Sequence, residues 1–142
     1  MLEPELLKVG IVVNTWQEAI QQGGELLVKS GMVEQRYVEA MIDNVIKLGP
    51  YMVIAPKVAM PHARPQDGVL KTGISLLLLK EPVVFGERGE QLAQLVICLA
   101  ALDNSSHLDL LKQIAEVIRD EASLALMLQA TTTEELLNYF SK

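Results

Sequence analysis

The chain has 142 residues, half of them hydrophobic but only 4% aromatic, and a formal net charge of −6. That length fits one domain spanning residues 1–142, with a core built mainly from Leu, Ile, Val, Ala and Met. The acidic balance argues against nucleic acid as the main partner, because a phosphate backbone requires a basic face.

Cys98 is the only cysteine, which excludes an internal disulfide. It sits in an apolar run, Leu95 to Ala100, and reads as a buried small hydrophobe. No basic stretch followed by an apolar one opens the chain, and no apolar run approaches the ~20 residues of a membrane helix. The expectation is a soluble, cytoplasmic protein with no direct membrane insertion.

In chain order, the β-branched run Ile11-Val12-Val13 predicts a strand within Val9 to Asn14. Thr15, with Glu18 three residues on, predicts a capped helix ending at Gly31, with Trp16, Ile20, Leu27 and Val28 on one face. Gly23-Gly24 inside it marks close packing or a kink. A second helix is predicted from Glu34 to Leu48, with Val38, Met41, Val45 and Leu48 at helical spacing and Gly49-Pro50 as its stop. Tyr51 to Ile54 reads as a strand broken by Pro56, and Lys57 to Met60 as a short continuation that delivers His62. A turn follows around Gln66-Asp67-Gly68.

Thr72 to Leu79 is apolar without alternation, as for a strand buried on both faces, and Glu81-Pro82 is expected to end it. Val83 to Phe85 is a short strand or an extended edge, Gly86 to Gln91 a loop, and Leu92 to Ala101 a second buried strand. Asp103-Asn104-Ser105-Ser106 starts a helix with Leu111, Ile114, Ala115 and Ile118 as its apolar stripe. A shorter helix runs from Asp120-Glu121 to about Leu128. Thr132 or Thr133 caps the last one, with Leu136, Leu137 and Phe140 facing inward. This order predicts an α/β fold: three α/β/α layers around a mixed sheet of about four or five strands.

His62 is the first candidate for chemistry. It is one of only two histidines and lies between Pro61 and Pro65, which fix their own φ angles and restrict the residues before them. A loop histidine can simply make one structural hydrogen bond. The flanking prolines and Arg64, a permanent charge with a planar fork suited to phosphate, favour a nucleophile that takes up a phosphoryl group. His107 lies in the first turn of a predicted helix, where free N–H groups attract anions. Facing His62, it would support a phosphoryl group there. Lys57, Thr72, Ser75, Ser105 and Ser106 are weaker phosphate donors, since such residues usually serve the surface or local structure. No phosphate-loop, dinucleotide or zinc-ligand pattern is present, so no metal and no cofactor is expected.

The block Ala55-Pro56-Lys57-Val58-Ala59-Met60-Pro61-His62-Ala63-Arg64-Pro65, with Gly68 and Lys71-Thr72-Gly73 after it, resembles the enzyme IIA domains of the bacterial sugar phosphotransferase system, of the mannitol/fructose type. Gly49-Pro50-Tyr51 and the Met60 to Pro65 motif look most like the ascorbate branch. The resemblance implies a phosphotransferase. The phosphocarrier protein HPr would phosphorylate His62 on Nε2 (a tele-phosphohistidine), and the group would pass to an enzyme IIB that works with the membrane enzyme IIC. His107 matches the family's second active-site histidine. Mannitol-type domains also carry an arginine upstream of the reactive histidine. Here Asp43 to Pro50 holds Asn44 and Lys47 but no arginine, so Arg64 is the residue expected to bind phosphate. Two alternatives stay open: a regulatory relative that binds proteins according to its phosphorylation state, and a non-catalytic binding domain with a structural His62.

Overall fold

The computed structural model describes residues 2–48, 52–86 and 91–140. Five strands form one mixed sheet: β1 (Leu7–Ile11), β2 (Val53–Ala55), β3 (Lys57–Ala59), β4 (Gly73–Phe85) and β5 (Gln91–Ala100). Their spatial order is β1-β4-β5-β3-β2. The pairs β1/β4 and β3/β5 are parallel, while β4/β5 and β2/β3 are antiparallel. The helices are α1 (Trp16–Lys29), α2 (Gln35–Leu48), α3 (Asn104–Ile118), α4 (Glu121–Met127) and α5 (Thr133–Phe140). The result is the three-layer α/β/α arrangement that the sequence predicts. None of the described helices is long and apolar enough to cross a membrane.

The two central strands are buried on both faces, as their unbroken apolar runs require. Leu76 to Leu79 on β4 and Leu95 to Ala100 on β5 are all buried. Helix α1 packs on β4 and β5 and against α2. It approaches so closely because of its two glycines. A Cβ on Gly23 would lie 2.8 Å from Cys98 Sγ, and one on Gly24 would lie 2.7 Å from Val38 Cγ2. The pair therefore marks close packing rather than a kink. Cys98 is fully buried under α1, and burial pushes its thiol up to about 12, so it is the inert hydrophobe expected. Thr15 Oγ1 accepts from the Glu18 amide, while the Glu18 carboxylate reaches back to the Asn14 amide.

Three expectations shift. The first strand is Leu7–Ile11 rather than Val9 to Asn14, because Leu7 to Ile11 pair with Leu76 to Leu79, and the register breaks at Gly10, whose φ is +72°. Val12 is left exposed, so pairing overrides its β propensity. Glu81-Pro82 does not end β4. The strand bulges there and resumes, with pairing stepping from Leu78–Leu95 to Val83–Ala93. Pro82 is tolerated because it sits in the unpaired bulge. Gln94 Nε2 donates to the Leu79 carbonyl beside the bulge. Leu48 and Ala115, placed on the apolar stripes of α2 and α3, are exposed. The Gly49-Pro50 stop, Tyr51 as a strand residue and positions 87–90 of the predicted loop lie outside the described residues.

The contact between Gly24 and Val38 gives a direct check on packing. Gly24→Ala adds a methyl group with no room for it, at about 1–3 kcal/mol, which the better helix propensity of Ala offsets by at most about 1 kcal/mol. In urea unfolding, Gly24→Ala is expected to lose stability. The double variant Gly24→Ala/Val38→Ala is expected to lose less than the sum of the two single variants.

Candidate active site

Strand β3 delivers His62. Because β3 and β5 run parallel, both finish on the same side of the sheet, the usual place for a site in α/β folds. Beyond β3, Met60 N–H donates to the Met52 carbonyl at 2.7 Å. Leu99 N–H donates to the Pro61 carbonyl at 3.1 Å, and His62 forms a single parallel bridge with Leu99. The loop then turns through Pro65–Asp67, and Gly68 adopts φ +132°, which a side chain would resist. Arg36 Nη1 donates to the Gln66 carbonyl, and Glu34 N–H donates to the Gly68 carbonyl, so the start of α2 pins the far end of the loop.

His62 Nδ1 lies 3.0 Å from the Met60 carbonyl oxygen. A carbonyl only accepts, so Nδ1 carries the proton and Nε2 keeps its lone pair. The His62 carbonyl accepts from Asn44 Nδ2 at 3.0 Å. Tyr37 Oη accepts from the Ala63 amide at 2.9 Å and donates to the Leu99 carbonyl at 2.7 Å. Tyr37 is fully buried, and burial raises the pKa of its phenol, so it stays protonated.

His107 enters from the first turn of α3, which follows directly from the end of β5. Its ring centroid lies 5.5 Å from that of His62, with the planes at 73°, an edge-to-face pair. The start of α3 is held by a capping box. Ser106 N–H donates to Asp103 Oδ1, and Asp103 N–H donates to Ser106 Oγ. Thr72 Oγ1 accepts from the Leu102 amide and donates to Ser106 Oγ, tying the turn before β4 to this helix start. Thr72 and Ser106 thus do local work, as does Ser75, whose hydroxyl donates to the Gly23 carbonyl. The amides of Ser105 and Ser106 already serve the Asp103 carboxylate, so these two are not free for an anion at this end.

Arg64 pairs with Asp67. Its Nε lies 3.5 Å from Asp67 Oδ2, and its side chain is 71% exposed. The Arg64 backbone amide, with its guanidinium, holds the Asp67 carboxyl below the usual range. Lys57 lies at the turn between β2 and β3 with φ +65°, well before the histidine loop. The structure therefore brings His62 and His107 together and pairs the exposed Arg64 with Asp67. No group of three or more metal-ligating side chains occurs among the described residues. Sequence reasoning missed Tyr37 and noted Asn44 only for not being arginine. The available signal was a tyrosine at a core position of α2, since a buried phenol needs a polar partner.

The sequence of this chain matches, over residues 1–142, the family of the phosphoenolpyruvate-dependent sugar phosphotransferase system, EIIA 2. It is 38% identical over 143 residues to the ascorbate-specific PTS system EIIA component of Salmonella choleraesuis (strain SC-B67), covering 100% of this chain and 93% of that protein. Its fold matches the crystal structure of IIA mannitol from Escherichia coli with a TM-score of 0.86, at 35% identity and with 99% of each chain covered. It also matches enzyme IIA mannitol in its complex with phosphorylated enzyme IIB mannitol from Escherichia coli, with a TM-score of 0.87, at 34% identity, covering 99% of this chain and 97% of that one. The chain belongs to the EIIA 2 family of the sugar phosphotransferase system. It is a phosphotransferase of that system, acting through a phosphohistidine.

The pH response of His107 tests this geometry. Its pKa is lowered from the usual 6.5, first by burial and then by the nearby His62. The unfolded chain therefore binds a proton more readily than the folded one, so stability rises with pH across this titration. The loss begins as pH falls to about 6.5 and is complete below the folded value. His107→Asn is expected to lose less stability than the wild type between neutral and mildly acidic pH, read as the shift in urea midpoint.

Proposed function

We propose that His62 is the phosphoryl acceptor, that His107 supports the transferred group, and that this chain serves uptake of ascorbate or a related sugar or polyol. The observation that carries the reading is the His62 tautomer. With Nδ1–H bound to the Met60 carbonyl, Nε2 is the nitrogen left with a lone pair, on a ring whose centroid lies 5.5 Å from that of His107.

In the transfer step the Nε2 lone pair attacks the phosphorus of phospho-HPr. The N–P bond forms as the bond to the donor atom breaks, and no proton need leave the ring. The phosphorylated imidazole keeps its Nδ1 proton and the positive charge that goes with it, and the Met60 carbonyl stabilises that proton. When enzyme IIB attacks in turn, the N–P electrons return to Nε2, and the neutral ring leaves in its starting tautomer. The lowered pKa of His107 keeps it neutral near pH 7, so it can offer one N–H to a phosphoryl oxygen. Arg64, exposed and held only by a weak surface pair with Asp67, can turn toward the phosphoryl group or toward an incoming partner. Full-length similarity to ascorbate-specific relatives supports the substrate class.

Phosphoryl transfer from phosphoenolpyruvate through enzyme I and HPr, read by intact mass, tests the assignment. The wild type is expected to gain one acid-labile phosphoryl group and His62→Ala none. His107→Ala is expected to gain it about 100-fold more slowly. Onward transfer to an ascorbate-type enzyme IIB, in preference to a mannitol-type one, is the outcome expected for the substrate class.

A further inference from the structure

Tyr37 and Asn44 stand seven residues apart on α2, close to two helical turns, so both side chains leave one face of the helix. Both reach the same peptide unit. Asn44 Nδ2 donates to the His62 carbonyl, and the Ala63 amide donates to Tyr37 Oη. The His62 C=O and the Ala63 N–H belong to one planar group. We propose that Tyr37 and Asn44 are positioning residues for phosphoryl transfer, gripping both ends of the peptide plane that follows His62 and thereby aiming its Nε2. This rests on the reading of His62 as the phosphoryl acceptor.

The ladder geometry shows what the grip does. In a parallel bridge between His62 and Leu99, the Leu99 amide bonds Pro61 O, and the Ala63 amide would bond Leu99 O. The first of these is present. At the second, the Tyr37 hydroxyl stands between the two groups, taking the hydrogen bond from Ala63 and passing its own to Leu99 O. The hydroxyl thus spaces the histidine loop from β5 at the strand end that leads into α3 and His107. Asn44 holds the other end of the plane, which stops it from rotating. With Pro61 O fixed on one side and the 62–63 peptide on the other, the backbone of His62 has no free torsion, and the Met60 carbonyl then orients the ring.

The test uses the full chain with phospho-HPr as donor. Tyr37→Phe keeps the ring and removes the hydroxyl, and Asn44→Ala removes the carboxamide from a half-buried position. Each is expected to lower kcat about 10- to 100-fold, with KM for phospho-HPr little changed, because misaim costs the chemical step rather than docking. Asn44→Gln, which keeps the carboxamide, is expected to recover part of the loss. Amide hydrogen exchange at Ala63 is expected to quicken in Tyr37→Phe while the amides of Val96 and Ile97 on β5 keep their protection. If Tyr37→Phe does not fold, the Asn44→Ala and Asn44→Gln pair carries the test. Variants phosphorylated at the wild-type kcat, or altered only in KM, overturn the proposal while leaving His62 as acceptor. A wild type that takes up no phosphoryl group removes the reading of His62, and the proposal with it.

Discussion

The carbonyl oxygen of Met60, 3.0 Å from His62 Nδ1, is the contact on which the rest of the site depends. An imidazole has two nitrogens of similar basicity, and only the one without a proton can attack phosphorus. A backbone carbonyl can only accept, so its position settles the choice without a titrating partner. A carboxylate there would add a negative charge beside an incoming phosphoryl dianion. A carbonyl avoids that repulsion, which suits a chain that already carries a net charge of −6.

The sheet then determines what lies beside the His62 ring. Because β3 and β5 are parallel neighbours, the chain leaving β3 and the chain leaving β5 emerge side by side. One carries His62 and the other leads through the Asp103 cap into α3 and His107. The burial of β5 makes this meeting rigid, since Leu95 to Ala100 cannot move without opening the core. Helix α2 closes the arrangement from the side through Tyr37, Asn44 and the bonds of its first turn to Gln66 and Gly68. The site thus rests on contacts that bring α2, the histidine loop and the β5–α3 junction together, with His62 on a loop anchored at both ends.

Much of this was legible in the sequence because the signals were local. Unbroken apolar runs identified β4 and β5, Thr15 and Asp103 announced their helices, and the two prolines around His62 marked a rigid loop. The readings that shifted depended on partners far along the chain. Nothing near Pro82 indicates that β5 would keep pairing beyond it, and nothing in Ile11-Val12-Val13 indicates that Leu76 to Leu79 would recruit Leu7 instead. At the site, His62 and His107 could be nominated by residue type, but not their 5.5 Å separation. Tyr37 did not stand out in the sequence of α2. Its hydroxyl acquires meaning only once β5 and the histidine loop are placed on either side of it. Arg64 could be nominated by its charge and its place in the motif, but not its pairing with Asp67.

The most direct measurement is a long-range proton–nitrogen correlation spectrum of the His62 ring, taken at mildly alkaline pH before and after phosphorylation. The account predicts a protonated Nδ1 and a bare Nε2 in the free protein, and phosphorus coupling at Nε2 in the phosphorylated one. A free protein with the proton on Nε2, or phosphorus on Nδ1, would contradict it.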